Sequence, residues 1–566
     1  MSEPLRPSPE LTPPSACALV LPVSGETEPL VLARGNAFCV TNQRGDIAPA
    51  GARDLGLFHD DTRHLSYLEL YVSGGPPIVL SSETAAAASS QVDLALTDRE
   101  FGGFLDDPQN FLHIRRKQLL DRTLVEQLTL TNHLRRPVEL WLELRMGADF
   151  ADVFEVRGVR RARRGRLLPP ELGADRIVFG YDGLDGRRYR TVVRLQPEPT
   201  RIDAHGPRWE LRLLPGEATI LEVLIEPRIG DAVDAPMIPF TDQRKKLTAA
   251  HQEFLASTTS VACSNVAFDD ALKHDLEDID ALRLSIDVGA GRRLGILGAG
   301  IPWFAAPFGR DSIITSLELL AIAPSIAVET LRTLAHFQGR VDDAWREEEP
   351  GKIMHELRRG ELARAGEVPH SPYYGTIDAT PLWLVLLGET WRWLGDRALV
   401  EEMMPHAERA LAWIERRLAR GNGWVRYQRT HEKGLENQGW KDSRDGVSFP
   451  DGTIAPPPIA LVEVQGYTVG ALQAMAMLQR VVGNERRADQ LAVQADALRR
   501  RIHEEFWVRE TAYYALAIDG EGRQVPTMTS NPGHLLFTDG VPKDRVTRLV
   551  DVLMSDGMFN GWGVRT

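Results

Sequence analysis

Four loop segments combine an acidic residue with aromatic residues or glycine close to the start of a helix. They are residues 308–312, 375–381, 439–443 and 462–467. Sugar rings present apolar C–H faces that pack on indole, and their hydroxyls bind carboxylates through charge-assisted hydrogen bonds. Cleavage of a glycosidic bond requires one carboxylic acid to protonate the leaving oxygen and a second carboxylate on the opposite side. The four segments therefore indicate a saccharide site.

Two of the acidic residues also have a structural interpretation. Asp311 directly precedes Ser312 and an apolar run, so it can serve as a helix N-cap, as a substrate ligand, or as both. Asp378 is less well explained by capping, because Thr380 is a better candidate for the N-cap and Pro381 for the first helical position. The pattern therefore favours a site role for Asp378.

The other two acidic residues lie in different local contexts. Asp442 precedes no helix, and the acids of its loop have the wrong spacing for an EF-hand. Its neighbour Trp440 makes it the strongest candidate for a catalytic acid, whereas the alternative is an Asx turn in a surface loop. Glu463 lies in an apolar context at a helix entrance, so it should pair with Arg or Lys or face a wet pocket.

The composition excludes several classes of function. With 66 Lys+Arg against 79 Asp+Glu, the net charge of -13 disfavours nucleic acid and anionic membranes as partners. The three cysteines are far apart, and no signal peptide or membrane-spanning run is present, so a cytoplasmic location is expected. The histidines lack metal-ligand spacing and no nucleotide-binding motif occurs, so neither metal nor cofactor is expected. The oligomeric state is not predicted.

Hydrophobic periodicity divides the 566-residue chain into β and α parts that must position these loops. Period-two alternation predicts an antiparallel β-sandwich, in which Pro215-Gly216 is expected to form a hairpin turn. Apolar residues at helical spacing dominate the second half, and its long loops carry the four acidic segments. The predicted organisation is a disordered Pro-rich tail at 1–24, the β-sandwich at 25–230, a linker with a helix at 231–264, and a helical catalytic domain at 265–566.

Two charged runs are expected to be solvated. A basic run in the β part is interpreted as a solvated loop rather than an RNA-binding strip, because the protein is acidic. Its members are Arg157, Arg160, Arg161, Arg163, Arg164 and Arg166. The acidic run Glu347-Glu348-Glu349 is predicted to be a solvated turn, with His355-Glu356 at the edge of a cleft.

At the four acidic segments the sequence resembles the glycogen debranching enzyme family, specifically bacterial amylo-α-1,6-glucosidase-like proteins. Residues 56–63 also look like the signature of that family's N-terminal β domain. The matching segments are Phe308–Ser312 with W-G-R-D, Ile377–Thr380 with A-D-A-S, Trp440–Ser443 with W-M-D-A, and Val462-Glu463 with V-E.

The resemblance implies an (α/α)6 toroid, a ring of helix pairs whose loops build an inverting glycosidase pocket at one end. By position, it assigns the general acid to Asp442. It assigns sugar binding to Arg310, Asp311, Asp378 and Glu463. The predicted binding site also includes Trp303, Trp440, Lys441 and Gln465.

The family's general base is a Glu in a segment similar to Y-H-x-G-x-V-W-P, which does not occur before Thr566. About eight or nine helices are predicted after residue 264, fewer than six pairs require. The toroid is therefore expected to be incomplete at its C-terminal end, with the base outside this sequence.

These observations predict an inverting glycoside hydrolase acting on α-glucosidic linkages, with an oligosaccharide or polysaccharide as its substrate. Two alternatives stay open. One is a non-catalytic carbohydrate-binding or regulatory protein, which would keep the aromatic and acidic rim without the base. The other is a glycosidase for another α-glycoside, such as an α-mannoside, because loops on one fold vary in specificity.

Overall fold

The computed structural model describes residues 28–48, 54–97, 111–203, 205–230, 237–538 and 540–566. The tail predicted to be disordered at 1–24 lies outside the described residues. Strands occupy the chain up to Ile229, and helices dominate it from Phe240 onward.

The first part follows the alternating pattern of its sequence. In β10, for example, every second residue from Val138 to Met146 is buried. The elements of this part are β1 (Leu30–Arg34), β2 (Ala37–Thr41), β3 (Gly56–His59), β4 (Thr62–Leu65), β5 (Tyr67–Val72), β6 (Ile78–Ala86), β7 (Ser89–Thr97), β8 (Phe111–Leu120), β9 (Leu124–Asn132), β10 (Val138–Gly147), α1 (Val153–Val156), β11 (Arg166–Leu172), β12 (Arg176–Asp182), β13 (Arg188–Gln196), β14 (Arg201–Asp203), β15 (Gly206–Leu213) and β16 (Ala218–Ile229).

These strands form an antiparallel β-sandwich, as the alternation predicts. An eight-stranded sheet has the order β11-β12-β13-β16-β9-β8-β7-β6, and a four-stranded sheet has the order β14-β15-β10-β5. Strands β1 to β4 form another four-stranded sheet. One apolar core joins residues of all three sheets, among them Leu128, Leu142 and Phe58. The hydrophobic effect of burying this core stabilises the domain.

The expected hairpin turn at Pro215-Gly216 is wrong. The two residues do lie between β15 and β16, and Gly216 has the positive φ of 76° that a tight turn requires. However, β15 pairs with β10 and β14, whereas β16 pairs with β13 and β9. The turn therefore carries the chain from one sheet to the other. Alternation identifies a strand and its buried face, but it does not identify the partner strand.

The second part contains helices together with short strands. Its elements are α2 (Phe240–Ala256), α3 (Val266–Ala281), β17 (Arg283–Asp287), β18 (Arg293–Gly300), β19 (Phe304–Pro307), α4 (Gly309–Glu318), α5 (Pro324–His336), α6 (Glu361–Arg364), α7 (Ala379–Leu394), α8 (Arg397–Arg420), β20 (Ala460–Leu461), α9 (Val462–Val481), α10 (Glu485–Glu505), β21 (Trp507–Val508), β22 (Tyr513–Tyr514), β23 (Ala517–Ile518), β24 (Gln524–Val525), a 3-10 turn (Asn531–Gly533), α11 (His534–Phe537) and α12 (Lys543–Leu553).

Three helical hairpins form the centre of this part. Helix α7 packs against both α4 and α9, and each of these three helices is followed by a helix that packs back on it, α5, α8 and α10 respectively. Most residues of α7 and α9 are buried, whereas α10 buries one apolar stripe and exposes its charged residues. Helices α4, α7 and α9 therefore form an inner layer, and helices α5, α8 and α10 form an outer layer. None of the helices within the described ranges is long and apolar enough to cross a membrane.

A small antiparallel sheet interrupts the helical part where the sequence predicts a long loop at 287–310. Its strands are β17, β18 and β19. The glycines of β18, such as Gly295 and Gly298, weaken the alternation by which a strand is recognised in a sequence. This sheet leads directly into α4 and so fixes where that helix begins.

The β-sandwich contacts the helical part through the turn between β3 and β4. Asp60 and Asp61 both have positive φ, 49° and 62°, in this turn. The Asp61 carboxylate accepts hydrogen bonds from Arg358 Nη1 at 3.0 Å and from the Arg359 backbone N–H at 2.7 Å. Arg358 in turn donates to Glu356 Oε2 at 3.0 Å. The turn therefore holds a loop of the helical part in place.

Most of the basic run is exposed as predicted, including Arg160, Arg163, Arg164 and Arg166, but Arg161 and part of the acidic run are not solvated. The side chain of Arg161 is only 1% exposed and pairs with Glu361 at 2.7 Å across the domain boundary. Glu347 and Glu348 are also buried, and the Glu347 carboxylate accepts a hydrogen bond from the Thr430 backbone N–H at 2.7 Å. Partners distant in sequence, which a local charge pattern does not reveal, compensate these charges.

Candidate functional site

The start of α4 is built around a glycine. The Gly309 N–H donates to the His355 carbonyl at 2.7 Å. A Cβ atom at Gly309 would lie 2.1 Å from the Met354 carbonyl oxygen, so no other residue fits without a backbone shift. This close approach places the next residue, Arg310, beside the N-terminal end of α7.

Arg310 and Asp378 form a buried ion pair between α4 and α7. Arg310 Nη1 donates to Asp378 Oδ2 at 3.0 Å, and the Thr376 hydroxyl donates to Asp378 Oδ1 at 2.6 Å. Burial by itself lowers the pKa of Arg310, but the carboxylates of Asp378 and Asp311 raise that pKa above its usual value. Arg310 is therefore a fixed cation that orients Asp378.

The expected helix caps are wrong at both sites. Helix α4 begins at Gly309, so Asp311 lies inside the first turn instead of at the N-cap, and none of the described residues hydrogen-bonds its partly exposed carboxylate. Asp378, not Thr380, occupies the N-cap position of α7, although its side chain makes no capping bond. The Thr380 hydroxyl instead accepts a hydrogen bond from the Ile353 backbone N–H at 2.9 Å.

Glu463 lies in the first turn of α9, and its side chain is completely buried. Its Oε1 accepts a hydrogen bond from Asn531 Nδ2 at 2.9 Å, whereas Oε2 has no hydrogen-bond partner within the described ranges. Burial raises the pKa of Glu463 from the usual 4.5 to about 7, and the charge of Asp378 acts in the same direction. One oxygen of this carboxyl group thus has a hydrogen-bond partner and the other has none. The group binds a proton near neutral pH.

This raised pKa predicts a pH-dependent stability. Because the folded state holds the proton more tightly, Glu463 stabilises the protein most below pH 4.5, and this contribution is lost as the pH rises through about 7. The pKa difference corresponds to about 3 kcal/mol of unfolding free energy. We expect the Glu463→Gln variant to lose less stability than the parent protein between pH 5 and pH 8 in urea unfolding. Parallel losses in the two proteins would contradict the assignment.

Trp440, Lys441 and Asp442 form a loop over the same end of the inner helices. The Lys441 ammonium lies 5.2 Å from the Trp440 ring centroid. Burial lowers the pKa of Lys441, and the nearby Glu463 carboxylate opposes that shift. Asp442 is partly exposed, and none of the described residues forms a hydrogen bond with its carboxylate. Its charge acts on Arg310, which places it beside the Arg310–Asp378 pair.

Two further polar residues of this site, Asn531 and His534, were not predicted from the sequence. Asn531 binds Glu463, and His534 Nδ1 lies 2.8 Å from the Tyr467 hydroxyl. The His534 ring centroid lies 5.8 Å from that of Trp440. Burial lowers the pKa of His534, so its ring is neutral at pH 7. The only sequence signal was the Ser530-Asn531-Pro532-Gly533 turn pattern before a short apolar run.

His355 is buried beside the site. Its ring is buried against Phe308 and Tyr373, with centroids 5.6 and 6.0 Å away, and no described residue pairs with its Nδ1 atom. Burial lowers the pKa of His355, while the charges of Glu356 and Asp442 oppose this effect. A neutral imidazole therefore lies close to Asp442.

Several buried polar atoms around Glu463 have no hydrogen-bond partner among the described residues. Leaving such an atom unpaired costs about 1–3 kcal/mol, which a ligand hydroxyl would recover. Six of the unpartnered atoms among the described residues belong to the segments around Glu463: Trp440 Nε1, Glu463 Oε2, Thr529 Oγ1, Ser530 Oγ, Asn531 Oδ1 and Thr538 Oγ1. The set contains both donors and acceptors, as a polyhydroxylated ligand requires.

Two predicted binding residues lie outside this cluster. The Gln465 amide is completely buried, and its Nε2 atom donates to the backbone carbonyls of Val425 and Leu461, so it ties a loop to α9. Trp303 packs against the core of the β-sandwich. The structure thus brings together Arg310, Asp311, Asp378, Trp440, Lys441, Asp442 and Glu463, with Trp303 at the domain boundary and Gln465 in a supporting position.

A separate cavity of about 600 Å³ lies between the β1–β2 hairpin and the β17–β18 hairpin. Ion pairs dominate its wall, such as Arg34–Asp280 at 2.5 Å and Arg359–Asp60 at 2.5 Å. It has no Trp, Tyr or Phe side chain in its lining. For saccharide chemistry the cluster around Glu463 is therefore the better candidate. Across the described ranges, no group of three or more His, Cys, Asp or Glu side chains could hold a metal ion.

Residues 32–223 match the family model described as the N-terminal domain of (some) glycogen debranching enzymes. The match spans most of the β-sandwich and confirms the resemblance to the debranching enzyme family. A search of curated proteins finds no match.

Two solved structures resemble most of the chain. A putative kojibiose phosphorylase from the human microbiome has a TM-score of 0.50 and 10% identity, covering 86% of this chain and 69% of its own. A bacterial glucoamylase complexed with acarbose has a TM-score of 0.50 and 10% identity, covering 94% of this chain and 80% of its own. At this identity the likeness shows the fold, and it confirms the prediction of a β-sandwich followed by a helical domain of the (α/α)6 class.

Proposed function

We propose that this chain, which resembles the glycogen debranching enzyme family, is an inverting glycoside hydrolase of the amylo-α-1,6-glucosidase type. The observation that carries the proposal is the convergence of Asp311, Asp378, Asp442 and Glu463 at the N-terminal ends of the inner helices. They come from segments distant in sequence, and a purely structural role would not require them to meet. The fold shared with a glucoamylase and a putative kojibiose phosphorylase supports a carbohydrate-active enzyme.

The buried end of the carboxylate cluster, formed by Arg310, Asp378 and Glu463, is suited to one sugar ring. The Arg310–Asp378 pair supplies a fixed donor and a fixed acceptor for hydroxyl groups. Glu463, protonated in part near neutral pH, can donate from its unpaired Oε2 atom. The indole of Trp440 offers both a ring face and a free N–H group.

In this proposal Asp442 acts as the general acid. Its carboxyl group is partly exposed and has no hydrogen-bond partner among the described residues, so it is free to reach a glycosidic oxygen. In the proposed reaction the Asp442 proton passes to the leaving oxygen as the bond from that oxygen to the anomeric carbon breaks. Water attacks the anomeric carbon from the opposite face and gives its proton to a base on that face, which inverts the configuration.

The proposal is tested by assaying the full-length protein, including any residues that follow Thr566 in the gene, on isomaltose, maltose and an α-mannoside, with and without inorganic phosphate. We expect hydrolysis of an α-glucoside, with β-glucose as the first product seen by NMR. First release of α-glucose would contradict inversion, and a product formed only with phosphate would indicate a phosphorylase. Calorimetry on the same sugars identifies a binding protein without turnover, and the absence of any saccharide binding would reject the proposal.

A further inference from the structure

Arg157 belongs to the β-sandwich part but points toward the proposed active site. It directly follows α1 as the C-cap residue of that helix. Its guanidinium carbon lies 5.8 Å from the Trp303 ring centroid and 5.7 Å from the Phe304 ring centroid. Within the described ranges its side chain forms neither a hydrogen bond nor an ion pair. None of its nitrogens is among the buried unpartnered atoms of the described residues, so its donors reach solvent and are available to a ligand.

The position of Arg157 is fixed by contacts between the two domains. Asp152 caps α1 by accepting a hydrogen bond from the Phe154 backbone N–H at 3.0 Å. The other oxygen of Asp152 accepts from the Leu362 backbone N–H, also at 3.0 Å, in the helical part. The Phe154 ring stacks on His370 with centroids 5.5 Å apart. Helix α1, which Arg157 directly follows, is therefore anchored to residues 362–370 of the helical part.

Charged groups of the helical part lie close to Arg157. Arg358, Glu356 and Asp442 act on Arg157 electrostatically. Glu356 is already paired with Arg358 and His370, so of these carboxylates only Asp442 has no partner among the described residues. Asp378 and Lys441 act on Glu463, at the buried end of the cluster. Asp442 acts on both Arg310 and Arg157. The Phe304 ring, 5.7 Å from the Arg157 guanidinium carbon, lies 5.9 Å from the ring of Phe308 at the start of α4, which places Arg157 next to the site.

We infer that Arg157, Trp303 and Phe304 form a second saccharide subsite, which binds the sugar residue on the leaving-group side of the scissile bond. This inference rests on the proposed function, in which Asp442 protonates the leaving oxygen. The sugar beyond that oxygen meets the two aromatic rings, which pack on its apolar face, and the guanidinium, which donates to its hydroxyls. The substrate class is an oligosaccharide with a sugar aglycone, and the β-sandwich part takes a direct role in selecting it.

The test compares Arg157→Ala with Arg160→Ala, an exposed member of the same basic run. Two substrates are used: isomaltotriose, which fills the leaving-group side, and α-glucosyl fluoride, whose leaving group is too small to reach it. Losing a charge-assisted hydrogen bond should raise KM for isomaltotriose about tenfold or more in Arg157→Ala. Turnover of α-glucosyl fluoride should stay at the parent level in both variants. Arg157→Lys should recover part of the lost affinity.

Turnover of the fluoride also shows that the variant is folded. The inference is overturned if Arg157→Ala matches Arg160→Ala on both substrates, or if it loses activity equally on both. If the parent protein hydrolyses neither substrate, calorimetric binding of isomaltotriose gives the same comparison between the variants. In that case the hydrolase proposal fails alone, whereas a parent protein that binds no saccharide overturns both.

Discussion

Replacement of Asp442 by Asn is expected to lower kcat on isomaltose by about 10²–10⁴-fold, because the glycosidic oxygen then leaves without a proton. Asn keeps the size of the side chain and cannot act as an acid. Binding of isomaltose, measured by calorimetry, should stay within a few-fold of the parent value. The loss of activity should be much smaller on α-glucosyl fluoride, because fluoride leaves without protonation.

The matched control for this variant is Asp445→Asn in the same loop. Asp445 is exposed and accepts a hydrogen bond from the Ser443 hydroxyl at 2.9 Å. It should have nearly the parent activity on both substrates. Undiminished hydrolysis of isomaltose by Asp442→Asn, or equal losses on isomaltose and the fluoride, would remove Asp442 from the role of general acid.

Replacement of Asp378 by Asn is expected to cost about 3–5 kcal/mol of unfolding free energy, because it leaves Arg310 buried without its counter-ion. Saccharide binding should be lost as well, since the hydroxyl acceptor is gone. The free energy is measured by urea unfolding and the binding by calorimetry. Glu402→Gln is the control, because it breaks the exposed Arg332–Glu402 pair at 2.7 Å and should cost about 1 kcal/mol or less.

A double variant separates stability from function at this pair. Combining Arg310→Met with Asp378→Leu removes both buried charges and should recover most of the lost stability. It should not recover saccharide binding, because neither the donor nor the acceptor is restored. If Asp378→Asn costs no more than Glu402→Gln, or if the double variant binds sugar, the pair does not have the assigned role.

The sequence predicted the fold class because period-two and period-3.6 patterns report directly on which face of each element is buried. The strands around Val138 and Leu124 and the helix that starts near Asp378 are clear examples. The pairing of β15 with β10 could not be obtained in the same way, because pairing depends on contacts distant in sequence. The small sheet of β17 to β19 was missed because its glycines interrupt the alternation.

The site was predicted where acidic residues stand beside aromatic residues or glycine, as at Asp442 and Glu463. Asn531 and His534 were missed because single polar residues in a Gly/Pro-rich loop have no periodicity. The capping prediction at Asp311 failed because a contact distant in sequence, between Gly309 and the His355 carbonyl, sets the start of α4. Arg161 was expected in solvent because its buried partner, Glu361, lies 200 residues away.

A crystal structure of the protein soaked with isomaltose tests the central claim most directly. The expected result is one glucose ring in hydrogen-bond contact with Asp378, Arg310 and Glu463, with Asp442 within reach of the glycosidic oxygen. A saccharide bound elsewhere, or an empty carboxylate cluster at a saturating sugar concentration, would contradict the claim.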